Sequence, residues 1–260
     1  MSNDEALLEE LAALALKAGA EIMRVYAEDF AVEAKGDASP VTKADHLSER
    51  IILDGLGRIA PDIPVLAEER ASAGDIPALG ETFFLVDPLD GTREFIGRNG
   101  EFTVNIALVR HGRPALGVVY APALGKLYAG AEKAFRLAVT GGTPGPRETI
   151  RARTAPPGGL VAVASRSHRT PETDAFLKDR NVADFTAAGS SLKFCLIAEG
   201  AADVYPRFGR TMEWDTAAGQ AVLEAAGGRV LVHPEETPLV YGKAWRGFDN
   251  PHFVAWGVKT

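Results

Sequence analysis

Phe83-Phe84-Leu85-Val86 is an unbroken apolar run that turns abruptly into Asp87-Pro88-Leu89-Asp90-Gly91-Thr92. Such a run reads as a buried strand, and strand ends are where open α/β proteins place ligand groups. Pro88 suits a turn in which the Asp87 and Asp90 carboxylates and the Leu89 carbonyl converge on one point. Gly91-Thr92 suits a helix start, whose free N–H groups attract an anion such as phosphate. Taken alone, this run also reads as an ordinary surface turn. Two further transitions of the same kind weigh against that: Val65-Leu66-Ala67 ends in Glu68-Glu69, and Trp214 is followed by Asp215. Several carboxylates in a partly buried site repel one another and need cations. Oxygen-only ligands select hard ions, Mg2+, Mn2+ or Ca2+. Zinc does not fit, because the 5 His show no His-Glu-x-x-His pairing and the 1 Cys has no partner. Asp215, and Asp45 in the first turn of a second helix, also have an ordinary reading as acids at helix N-termini.

With 260 residues, 46% of them apolar, the chain can bury a sizeable core without staples. A first helix is capped at Ser2 to Glu5 and carries Leu7, Leu11, Leu14, Ala18, Ile22 and Val25 at helical spacing. A turn or short hairpin over 31–40 leads to a second helix from Thr42, with Leu47, Ile51, Leu56 and Ile59 facing inward. Strands at 104–108 and 116–120 join at His111-Gly112, and hairpins continue to a loop at 141–146. Pro156-Pro157-Gly158-Gly159 is the candidate domain boundary. It divides an α+β unit with an antiparallel sheet (1–156) from a smaller α/β unit (157–260), with the site between them. In the second unit, strands at 160–164, 203–205, 229–232 and 253–256 alternate with helices at 171–178, 191–199 and 215–226.

Two motifs carry a resemblance. Phe84 to Thr92 and Trp214-Asp215-Thr216-Ala217-Ala218-Gly219 resemble the two signatures of the inositol-monophosphatase-like superfamily of Mg2+-dependent, lithium-sensitive phosphatases. Glu68-Glu69 falls between Asp45 and the first signature, as in that family. The stretches Arg93 to Leu108, Ser165 to His168, Gly189 to Phe194 and Tyr205 to Phe208 extend the likeness to one branch, the 3'(2'),5'-bisphosphate nucleotidases of CysQ type. The resemblance implies a layered αβαβα sugar-phosphatase fold, mixed α+β and α/β. It implies that Glu68, Asp87 and the Leu89 carbonyl hold one Mg2+, and that Asp87, Asp90 and Asp215 hold a second. A third, weaker ion would use Glu68 through water, with Asp45 nearby. Glu68 and Thr92 would orient the attacking water, and the Gly91 and Thr92 N–H groups would hold phosphate oxygens. His168, Ser190, Lys193 and Arg207 would face the nucleotide.

The substrate this implies is adenosine 3',5'-bisphosphate, cleaved to AMP and phosphate, with its sulfated form as a second substrate and a place in sulfur-assimilation nucleotide recycling. The rivals are an inositol-monophosphate or fructose-bisphosphate phosphatase and, more remotely, an inactive nucleotide-binding module. Ser190-Ser191-Leu192-Lys193 also fits the Ser-x-x-Lys nucleophile pattern, but no Ser-Asp-Asn or Lys-Thr-Gly follows. Cys195 reads as a buried, inert thiol. A net charge of -7 argues against a nucleic acid polymer as partner. The single Cys, the lack of a signal peptide in the acidic first residues and the lack of a membrane-spanning run point to a cytoplasmic protein, compatible with peripheral attachment to the inner membrane. Whether two chains pair as a homodimer is left open by the sequence.

Overall fold

The computed structural model describes residues 3–28, 31–34, 40–165 and 170–258. Helix α1 (Asn3–Tyr26) buries Leu8, Leu11, Ala15, Ala18, Ile22 and Val25 along one stripe. Its expected cap at Ser2 lies outside the described residues. Strands β1 (Val32–Ala34) and β2 (Pro40–Thr42) pair antiparallel, as the hairpin expectation had it. Thr42 then caps α2 (Lys43–Ile59) in a reciprocal box: its hydroxyl accepts from the Ala44 N–H, and Asp45 accepts from the Thr42 N–H.

The buried face of α2 differs from expectation. Leu47, Ile51 and Ile59 are only half-buried, and the deepest stripe is Ala44, Asp45, Ser48, Glu49, Ile52, Gly55 and Leu56. Apolar periodicity points to the wrong edge of the helix because three of these buried positions are polar. They are tolerated there because they find partners across the interface.

The first sheet holds β3 (Val65–Ala67), β4 (Thr82–Asp90), β5 (Thr103–Arg110), β6 (Arg113–Ala121), β7 (Lys126–Gly130), β8 (Ala134–Thr140), β9 (Thr143–Pro144) and β10 (Glu148–Thr149). Its order is β10-β8-β7-β6-β5-β4-β3, with β9 paired to β8. Only β3 and β4 run parallel; the other pairs are antiparallel. The short helices α3 (Glu68–Ser72) and α4 (Thr92–Ile96) follow β3 and β4 at once. The second sheet holds β11 (Leu160–Ser165), β12 (Val182–Ala188), β13 (Val204–Arg207), β14 (Arg229–Val232) and β15 (Phe253–Trp256), in the order β12-β11-β13-β15-β14. Helices α5 (Pro171–Lys178), α6 (Leu192–Ala198) and α7 (Ala217–Ala225) connect it. Sequence reading missed β12, whose exposed Ala183, Asp184 and Phe185 leave no clear alternation on an edge strand.

Side-chain alternation along β4 explains the layering. Phe84 and Val86 join the core beneath α1 and α2, whereas Phe83 and Leu85 join a second core with α6, α7 and one face of the second sheet. The other face of that sheet packs Ala162, Val204 and Val254 against Phe176 and Leu177 of α5. The layers are therefore helix, sheet, helix, sheet, helix, which is the expected αβαβα arrangement. Gly117 lets α7 lie directly on β6, since a Cβ there would sit 2.5 Å from the Ala218 carbonyl oxygen.

Asp203 fastens the second sheet to the chain entering it. It accepts from Arg153 Nε at 2.8 Å, from Arg153 Nη2 at 2.9 Å and from the Val161 N–H at 2.7 Å. Burial works against its charge, but these donors outweigh it and hold the carboxyl below the ordinary range. A native carboxylate with a depressed pKa stabilises the fold above its unfolded pKa and stops doing so as pH falls through the folded value. Asp203→Asn is therefore expected to cost about 1.5–3 kcal/mol at pH 7, the worth of hydrogen bonds to a charged group. In urea unfolding, the gap to wild type should close as the pH drops below about 4.

Candidate active site

Strand ends and helix starts bring the predicted acids together. Glu68 opens α3 directly behind β3, Asp87 and Asp90 lie in the last residues of β4, and Asp215 sits in the turn before α7, which begins two residues after the helix start expected at Asp215. The Asp87–Asp90 segment is not the free turn expected from Pro88. Asp87 pairs with Asn105 and Asp90 with Thr103, so the strand continues through a bulge with one extra residue. Proline is tolerated at such a bulge because the extra position has no ladder bond to lose. The Leu89 N–H donates to Asp87 Oδ1 at 3.0 Å and fixes that carboxylate.

These acids act on one another. Burial pushes the Asp87 carboxyl well above its usual range, and the charges of Glu68, Asp90 and Asp215 push it further. Burial does the same to Asp215, with Asp90 and Glu68 adding to it. Burial raises Asp90 to about 6, against the opposing pull of Lys193 and of the Ser191 N–H. Among the described residues no group of three or more His, Cys, Asp or Glu side chains is preassembled as a metal cage. The donor chemistry nevertheless fits a hard divalent cation: buried carboxylates that repel one another, beside a backbone carbonyl at Leu89, with oxygen as the sole donor element.

Thr92 and Asp45 form a second pair. The Thr92 hydroxyl donates to Asp45 Oδ1 at 3.2 Å, while Asp45 Oδ2 accepts from the Thr42 N–H at 2.8 Å and the Thr42 hydroxyl at 2.7 Å. Asp45 is thus both the capping acid of α2, its ordinary reading, and the partner of Thr92. Gly91 precedes α4 with φ +92, and a Cβ on it would lie 2.2 Å from Ser190 Oγ. Gly91→Ala should therefore lower stability by about 1–3 kcal/mol and reduce turnover with it, read by thermal melting and initial rates.

Cations share the space with the acids. One cavity of about 500 Å3 is lined by Glu68, Asp90, Thr92 and Asp215 together with Arg93, Lys193, Arg207 and Arg210. Lys193 is buried, and its ammonium donates to the Ser190 carbonyl at 2.5 Å. Burial lowers it to about 8, although Asp90 favours its charge. Arg207 Nη2 donates to the Arg210 carbonyl at 2.9 Å, and its buried Nε finds no hydrogen-bond partner among the described residues. Ser190 is left-handed at φ +49, and its hydroxyl lies 2.7 Å from the Asp90 carbonyl and 2.8 Å from that of Glu101. That hydroxyl ties the two sheets together at the cavity wall. His168 lies outside the described residues. Cys195 is buried, and burial pushes its thiol up, as an inert thiol requires.

Sequence reading missed Arg93 and Arg210 as lining residues, and Asn105, whose Oδ1 accepts from Ser191 Oγ at 2.6 Å while its Nδ2 faces Asp90 at 3.5 Å. Arg93 and Asn105 lie within the stretch that carries the family resemblance, but the contacts of Asn105 with Ser191 and Asp90 form only across the fold.

The sequence pattern of the inositol monophosphatase family matches residues 3–251. The chain belongs to the inositol monophosphatase family. Within it, the 3'(2'),5'-bisphosphate nucleotidase CysQ of Shigella flexneri is 49% identical over 251 residues, covering 95% of this chain and 98% of that one. The protein of the same name from Escherichia coli K12 is 48% identical over the same shares. The crystal structure of CysQ from Bacteroides thetaiotaomicron superposes with a TM-score of 0.77 at 39% identity, over 97% of this chain and 98% of that one. An inositol monophosphatase from Anabaena reaches 0.77 at 27% identity, over 99% and 92%. The family and the layered fold expected from the two motifs both hold. No helix of the described residues is long and apolar enough to cross a membrane.

Proposed function

We propose that this member of the inositol monophosphatase family is a Mg2+-dependent 3'(2'),5'-bisphosphate nucleotidase that hydrolyses adenosine 3',5'-bisphosphate to AMP and phosphate. The observation that carries the reading is a cavity lined both by the acids Glu68, Asp90 and Asp215 and by the basic groups Lys193 and Arg207. A molecule with two phosphates needs both sets of groups. One phosphate must meet cations held by carboxylates, and the other must meet Lys or Arg directly.

Glu68, Asp87, Asp90, Asp215 and the Leu89 carbonyl are the groups that would hold two Mg2+ ions. These ions supply an acidified water and charge neutralisation at the reacting phosphate. The chain's own groups do the rest. The Thr92 hydroxyl donates to Asp45, so its oxygen is free to accept from the attacking water and aim it. Glu68, which lines the same cavity, is the group that would take the proton. Lys193 and Arg207 bind the phosphate that is not cleaved, and Arg207 Nε offers a donor with no competing partner among the described residues. Residues 1–156 then carry most of the metal site, and 157–260 add Asp215 and the nucleotide contacts.

The test is phosphate release from adenosine 3',5'-bisphosphate, its sulfated form, inositol 1-phosphate and fructose 1,6-bisphosphate, each with Mg2+. Catalytic efficiency should be highest for a 3'-phosphorylated nucleotide, and the ratio of the first two decides whether the sulfated form is a physiological substrate. Preference for either sugar phosphate would overturn the nucleotide assignment. Binding without turnover of any ester would mark an inactive module.

A further inference from the structure

Helix α2 presents three buried polar side chains on one face: Asp45, Ser48 and Glu49, exposed by 1%, 0% and 5%. Their spacing of three and four residues stacks them along a single stripe. Each reaches a different segment of the site. Asp45 holds the Thr92 hydroxyl at 3.2 Å. Ser48 Oγ donates to the Pro88 carbonyl at 2.9 Å, in the bulge between Asp87 and Leu89. Glu49 accepts from the Glu69 N–H at 2.7 Å and from the Arg70 N–H at 3.1 Å.

The last contact matters because α3 has no cap of its own. Its N-cap is Ala67, which has no side-chain acceptor, and its first residue is Glu68. Free N–H groups in a first helical turn need an acceptor, and without one the turn frays. Glu49 supplies it from another helix, so the direction in which the Glu68 backbone leaves β3 depends on a side chain 20 residues away in sequence. Ser48 acts likewise on the Pro88-Leu89 peptide, whose orientation sets where the Leu89 carbonyl points.

We propose that Ser48 and Glu49 are positioning residues of the cation site. With Asp45 they make α2 a rack that holds the Glu68, Pro88-Leu89 and Thr92 segments at fixed mutual distances. The proposal rests on the metal-dependent phosphatase reading above. Neither residue touches substrate. Their burial is a functional cost that an apolar face would avoid, which is why the inward stripe of α2 departs from its apolar periodicity.

The test is Mn2+ binding to the full chain without substrate, followed by calorimetry or by the loss of the free-ion magnetic resonance signal, for wild type, Ser48→Ala and Glu49→Gln. Removing groups that orient metal ligands weakens metal affinity or activity by about 10–100-fold. Both variants should bind Mn2+ at least about 10-fold more weakly and need correspondingly more Mg2+ for half-maximal turnover, with the KM for nucleotide at saturating metal changed by less than about threefold. Glu224→Gln, which breaks the remote ion pair with Arg113, should lower Tm without changing Mn2+ affinity. Ser48→Ala keeps the fold testable if Glu49→Gln is poorly stable. Wild-type affinity in both variants, or losses no larger than that of Glu224→Gln, would overturn the positioning role alone. Absence of Mn2+ binding by the wild type would overturn it together with the phosphatase reading.

Discussion

Asp87→Asn should lower kcat by on the order of 10^3-fold, about 4 kcal/mol of transition-state stabilisation, while leaving the fold intact. Asp87 is 1% exposed, whereas Glu68, Asp90 and Asp215 are half-buried, and both metal positions of the proposed site share it. The fold survives because asparagine retains the oxygen that accepts the Leu89 N–H at 3.0 Å. Stability should move in the opposite direction to activity. A carboxyl whose folded pKa is raised, here by burial and by the charges of Glu68, Asp90 and Asp215, destabilises the native state once pH exceeds its unfolded value. In chelator at neutral pH the neutral amide should therefore raise Tm, by about 2–4 °C for each kcal/mol of relief. Added Mg2+ should stabilise wild type strongly and the variant weakly. Near-normal turnover, or a variant Tm below wild type in chelator, would show that the acids are not a charge-frustrated cation site.

Lys193→Met should raise the KM for adenosine 3',5'-bisphosphate by about 10–100-fold with little change in kcat. The lost contact is a hydrogen bond to a charged phosphate remote from the reacting bond, worth about 1.5–3 kcal/mol in ground and transition states alike. Methionine retains the buried stem, so the wall of the cavity should persist. Hydrolysis of inositol 1-phosphate, which lacks the second phosphate, should be unaffected. A pH profile separates charge from shape. Burial lowers the Lys193 ammonium to about 8, so wild-type KM should climb as pH rises through that value and the proton is lost. The variant should show no such climb. Equal KM values for the two proteins would move the second phosphate to Arg207 or Arg210.

Much of the site was legible because its acids follow apolar runs at the ends of single elements. Val65 to Glu68 and Phe83 to Asp90 need no knowledge of the rest of the chain. The Asp-Pro-Leu-Asp run was read as a free turn and is a bulge, which exists only relative to the partner strand β5. The inward face of α2 was misjudged for a similar reason: Ser48 and Glu49 look like surface residues until their acceptor and donors arrive from β4 and α3. Ser190 was expected to face the nucleotide; it lines the cavity, and its hydroxyl also lies against the Asp90 and Glu101 carbonyls, contacts that no local pattern announces.

By itself the sequence determined most of the order of strands and helices, the acids at their ends and the family. These are local or motif properties, written in periodicity and in short runs. Only the tertiary structure decided which residues share the cavity. Asp90 and Lys193 meet because the Ser190-Ser191 turn ahead of α6 bonds to the Asp90 carbonyl and to Asn105, and Asp215 joins them because Gly117 lets α7 lie against the sheet. Such meetings depend on how layers stack across about 100 residues of chain, where no local pattern reaches and side-chain packing alone sets the geometry.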